Sequence, residues 1–83
     1  MVCLVFLERP AITETRRAEL VNRCTDIAQR FPGDAPCRLI FRNYTGRRLE
    51  YSLPPVRYSP ALLDIFRAAV PGLIAYWDNG GRE

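Results

Sequence analysis

Eighty-three residues, 48% of them apolar and 25% charged, make one domain with room for one modest core. No stretch approaches the roughly 20 consecutive apolar residues of a membrane span, so a membrane role through a helix is excluded. All twelve basic residues are Arg, set against nine acidic residues and no His, for a net charge of +3. The lack of His removes the usual general base, while the Arg excess permits an acidic partner or nucleic acid without demanding either.

The chain opens on "VCLVFL" (Val2 to Leu7), a continuous apolar run of strand length. No basic residue precedes it and no small-residue cleavage site follows, which is the pattern of a buried strand and not of a signal peptide. "ITETRRAELVNRCTDIAQRF" then takes a helical period, with Leu20, Cys24, Ile27, Ala28 and Phe31 on one stripe and Thr13 as the N-cap. On the opposite face Arg16, Glu19, Arg23, Asp26 and Arg30 form a solvated strip, in which Glu19–Arg23 and Asp26–Arg30 have the favourable i, i+4 order. Pro32-Gly33 ends the helix, Gly33 taking the left-handed conformation common past helix ends.

Two alternating strands follow, "PCRLIFRN" (Pro36 to Asn43) and "RRLEYSL" (Arg47 to Leu53), joined by a turn in which Gly46 supplies the positive φ. Leu49, Tyr51 and Leu53 are the core side of the second strand. "PPVRY" breaks the pattern, and Ser59-Pro60 starts a second helix, a hydroxyl cap followed by Pro at the first helical position. Leu62, Leu63, Ile65, Phe66, Ala69 and Val70 make it apolar over most of its circumference. Pro71-Gly72 ends it, and "LIAYW" (Leu73 to Trp77) is a last short strand. The expected fold is therefore α+β: a β-α-β-β-α-β two-layer sandwich, ferredoxin-like, with both helices on one face of a four-stranded sheet. Residues 1–77 form the domain, and residues 78–83 ("DNGGRE") a mobile polar tail.

Catalysis finds little to work with. Nine scattered carboxylates present no poised pair, and no glycine-rich phosphate loop is present. Cys3, Cys24 and Cys37 are odd in number, widely spaced and in apolar company, as expected of reduced core thiols in a cytoplasmic protein. No cofactor and no metal site is expected, and the chain reads as a non-enzyme.

Binding is the better prospect. On the hairpin, Arg38, Arg42 and Arg48 share the face opposite the helices, with Ile40 and Glu50 among them. That face is a candidate for protein or nucleic acid, and equally the ordinary solvated side of an antiparallel sheet. An RNA-recognition module has the same element order but stacks bases on aromatics of its central strands, within a motif not found here. "LLDIF" (Leu62 to Phe66) resembles the short motif with which bacterial replication proteins grip the sliding clamp, but Leu62 replaces the Gln of that motif and the helix should bury it.

"RFPGDAPCRLIF", a charged hairpin, then "YSPALLDIFRAAVPGL" together resemble the extreme C-terminal domain of the bacterial replicative DNA polymerase III alpha subunit. The features that carry the likeness are Pro32, Gly33, Asp34 and Pro36, the strands Cys37 to Phe41 and Leu49 to Leu53, Ser59-Pro60, Leu62-Leu63 and Gly72, over about residues 27–77. The resemblance implies a non-catalytic module at the end of a replicase, docking to replisome proteins: the tau subunit of the clamp loader and the rest of the polymerase. No catalytic residue carries over, because the acidic residues of that family's palm domain are not in this chain. Docking would use the open sheet face or the mobile tail, Trp77 to Glu83, and the candidate partner-binding residues, Arg38, Ile40, Arg42, Arg48 and Trp77, come from surface chemistry. Weak nucleic-acid binding and homodimerisation through the open sheet are the alternatives, and no membrane contact is expected.

Overall fold

The computed structural model describes residues 1–8, 12–43 and 45–78. The chain runs β1 (Val2–Glu8), α1 (Glu14–Arg30), β2 (Pro32–Asn43), β3 (Arg48–Val56), α2 (Pro60–Ala69) and β4 (Ile74–Trp77). This is the α+β architecture expected, in the β-α-β-β-α-β order of ferredoxin-like domains. The sheet is mixed, in the order β3-β2-β1-β4. β1 and β2 are adjacent and parallel, joined over α1, while β3 and β4 are antiparallel edge strands on β2 and β1.

Both helices begin at the expected caps. The Thr13 hydroxyl accepts from the Arg16 backbone N–H at 3.0 Å, and the Ser59 hydroxyl from that of Leu62 at 3.2 Å, with Pro60 leading α2. The helices cover one side of the sheet. Leu20, Cys24, Ile27 and Ala28 of α1 and Leu62, Leu63 and Phe66 of α2 share a core with Val2, Leu4, Cys37, Leu39, Phe41 and Leu53. The clamp-like "LLDIF" stretch is thus committed to packing, with Phe66 fully buried. Phe6 faces the same core and meets Phe41 edge-on, at 6.0 Å between ring centroids.

Several local expectations are corrected. Phe31 does not belong to the buried stripe of α1: it is the C-cap and is exposed. Ile65 is likewise exposed, so α2 buries less of its circumference than its composition suggests. On the outer face of α1 the ion pair is Arg16–Glu19, at 3.3 Å. Arg23 instead reaches across to the Ala69 carbonyl, at 3.1 Å, tying α1 to the end of α2. Asp26 and Arg30 make no ion pair among the described residues. β3 continues through Pro54-Pro55 to Val56, which an edge strand tolerates because its outward N–H groups have no strand to meet.

The joint after α1 also differs. β2 starts at Pro32, with register irregularities between Pro32, Ala35 and Cys37. Gly33 is not in the left-handed region; Gly46 (φ 89°) and Gly72 (φ 87°) are. What Gly33 provides is closeness. A Cβ there would lie 2.5 Å from the Arg57 Cα and 2.6 Å from the Val56 carbonyl carbon, both backbone atoms. The Arg57 N–H donates to the Phe31 carbonyl at 2.8 Å, stitching the end of α1 to the end of β3. Only a residue without a side chain fits between those two backbones.

Asp78 extends the β4–β1 ladder: its N–H donates to the Met1 carbonyl at 2.8 Å. The rest of the expected tail, 79–83, lies outside the described residues.

Candidate docking surface on the open sheet face

The pairing register decides which side chains share the face away from the helices. One row across the sheet is Ser52, Arg38, Cys3 and Tyr76; the next is Glu50, Ile40, Val5 and Ile74; the third is Arg48, Arg42 and Leu7. Arg38, Ile40, Arg42 and Arg48 are therefore brought together as expected. Trp77 is not with them. It pairs with Val2 on the helix side, where its ring lies 4.4 Å from that of Tyr58.

The face is divided. Over β1 and β4 it is apolar: Leu7 (44% exposed), Ile74 (45%) and Tyr76 (42%) surround the half-buried Val5. Over β2 and β3 it is charged. Glu50 accepts from Arg38 at 3.3 Å and from Arg48 at 3.4 Å, a small exposed network. Arg42 has no acidic partner among the described residues and stands directly across the strands from Arg48, a like-charge pairing that costs stability. Ile40, at the centre of the charged half, is only 7% exposed because its neighbours cover it.

Sequence reasoning missed Val5, Leu7, Ile74 and Tyr76. A continuous apolar run has no alternation to reveal its two faces. The one charged residue at its end, Glu8, misleads, because it lies on the core side, 4% exposed. Arg17, early in α1, neutralises it with a forked contact: Nε donates to Oε2 at 3.3 Å and Nη2 to both carboxylate oxygens at 3.1 Å. The guanidinium also sits 5.7 Å from the centre of the Phe41 ring.

Both sheet edges are blunted. The Ala75 carbonyl, on the outer side of β4, accepts from Arg67 of α2 at 2.6 Å. The outer edge of β3 carries Pro54, Pro55 and the charges of Arg48 and Glu50. Strand addition is thereby discouraged, and the broad face is left with three exposed apolar side chains together; on the helix side of the sheet Leu49 and Trp77 are exposed as well.

The cysteines are free and buried. Burial pushes the Cys24 thiol up to about 11 and that of Cys37 up to about 12, and also raises Cys3. At neutral pH such thiols are protonated and poor nucleophiles. The folded chain holds these protons above the ordinary thiol value of 9.0, whereas the unfolded chain releases them there. Stability should therefore fall as pH rises from about 9 towards 12. Urea melts at about pH 8 and about pH 10.5 check this, and an unmoved midpoint would contradict the buried placement.

No family model matches the chain, and neither does any curated protein or solved structure. No helix among the described residues is long and apolar enough to cross a membrane.

Proposed function

We propose that this chain is a non-catalytic interaction module that docks to another protein through its open sheet face. The observation that carries the reading is the division of that face, with exposed Leu7, Ile74 and Tyr76 beside Arg38, Arg42 and Arg48. Exposed apolar side chains set beside Arg have the composition of protein interfaces. The likeness of residues 27–77 to the C-terminal domain of the replicative polymerase III alpha subunit supports a place in the bacterial replisome. The partners would be the clamp-loader tau subunit or the rest of the polymerase, in the cytoplasm, where buried free thiols stay reduced.

A nucleic-acid module of the same form is the alternative, with the three Arg side chains meeting phosphates. It is less well supported, because the two central strands carry Cys3, Val5, Leu7, Arg38, Ile40 and Arg42 on that face and no aromatic platform for bases.

Calorimetric titration of purified tau subunit tests the proposal. Arg38→Ser with Arg42→Ser should leave the melting curve near that of the parent and weaken binding by about tenfold or more, ~1.4 kcal/mol. Unchanged affinity would remove the open face from the interaction. Steeply salt-dependent binding of labelled single-stranded DNA, lost in the same variant, would replace the protein reading with the nucleic-acid one.

A further inference from the structure

The division of the open face also specifies what lies on it. The apolar half is two strands wide, about 5 Å between β1 and β4, and runs about 13 Å from Cys3 to Leu7. That footprint matches two to three turns of an α-helix, about 10 Å across, laid along β1. Its long charged border lies over β2 and β3, where Arg38, Arg42 and Arg48 outnumber Glu50; the Asp78 carboxylate stands at the Cys3 end, and Arg67 reaches the outer edge of β4. Arg42 and Arg48 face each other with a single carboxylate between the three guanidinium groups, so a further carboxylate placed there relieves an existing repulsion.

A second copy of the chain fits poorly. A twofold axis along the strands, centred on the face, lays the apolar half of one copy on the charged half of the other. A twofold axis across the strands lays Arg on Arg and Glu50 on Glu50. Centred on β1 and β4 alone, the contact covers Leu7, Ile74 and Tyr76 but brings no carboxylate to Arg42 and Arg48.

Resting on the docking-module reading, we infer that the open face receives an amphipathic helix of the partner protein, apolar underneath and acidic along one flank. Its apolar residues cover Val5, Leu7, Ile74 and Tyr76, and its carboxylates meet Arg42 and Arg38. The helix completes a third layer on a two-layer fold, with its acidic flank set towards the Arg cluster of β2 and β3 and away from Asp78.

Two fluorescein-labelled synthetic peptides test this by anisotropy. They share a helical Leu spacing, with Glu along one flank in the first and Arg at the same positions in the second. The Glu peptide should bind at least about tenfold tighter than the Arg peptide. Arg38→Glu with Arg42→Glu should reverse that order, and Ile74→Asp should weaken both, with circular dichroism confirming that the variants fold. Equal binding of both peptides, lost in Ile74→Asp, would overturn the acidic flank while leaving the docking face standing. Binding indifferent to every one of these substitutions, or no binding of either peptide, would overturn the helix, while the tau titration of the Arg38→Ser/Arg42→Ser variant decides the docking face separately. A stable dimer in sedimentation, disrupted by Ile74→Asp, would overturn the helix in favour of a second copy.

Discussion

Replacing Arg17 by Met is expected to cost about 3–5 kcal/mol, because it leaves the buried Glu8 carboxylate without its ion-pair partner. The Glu8 side chain is 5% exposed and that of Arg17 17%, so water does little to replace the lost contact. The double variant Glu8→Leu/Arg17→Met should behave differently. With both charges gone, Leu at position 8 continues the core row of Val2, Leu4 and Phe6, and stability should return to within about 1 kcal/mol of the parent or exceed it. Urea melts of Arg17→Met and the double variant, beside the parent, separate these outcomes. If the double variant is as unstable as Arg17→Met, the pair holds the fold by more than its charge balance.

Phe66→Ala is the second large effect. Phe66 is fully buried where α2 meets the sheet, and truncating such a ring costs about 3–5 kcal/mol in lost transfer energy and residual cavity. For 83 residues the whole stability is about 4–12 kcal/mol, so the variant should lose a large share of it and its urea midpoint should drop steeply. Ile65→Ala, one position away, should melt within about 0.5 kcal/mol of the parent, because Ile65 faces water. The contrast between neighbours checks the facing of α2 more sharply than either variant alone.

Much of the fold was legible because local chemistry and global form agree in this chain. Thr13, Ser59-Pro60 and Gly46 each do at their own positions what their residue types favour anywhere, so helix starts and the hairpin turn could be placed without knowing the sheet. The alternation of Cys37, Leu39 and Phe41 against Arg38, Ile40 and Arg42 fixed the facing of β2 in the same way.

What was not legible depends on contacts distant in sequence. Gly33 reads as a helix terminator, yet its constraint comes from the backbone at Val56 and Arg57, more than twenty residues on. Pro54-Pro55 reads as the end of a strand; only the edge position of β3 lets the strand run through it. Glu8 and Arg17 find each other only when α1 folds back over β1. The open face suffered most from this. Its charged half lies on an alternating hairpin and was read directly. Its apolar half lies on β1, an unbroken apolar run, and on β4, whose pairing with β1 decides that Ile74 and Tyr76 join Leu7 while Trp77 turns to Tyr58.

The measurement that tests the docking claim most directly is a methyl carbon–proton spectrum of the labelled chain with purified tau subunit added. Methyl groups report on the broad face of a sheet, where backbone amides are already held in the ladder. Shifts or broadening are expected at Val5, Leu7, Ile40 and Ile74, with the core methyls of Leu20, Leu39 and Leu62 little changed. Perturbation centred on the helix layer, at Val21 or Ile65, or no perturbation at all, would contradict the docking claim.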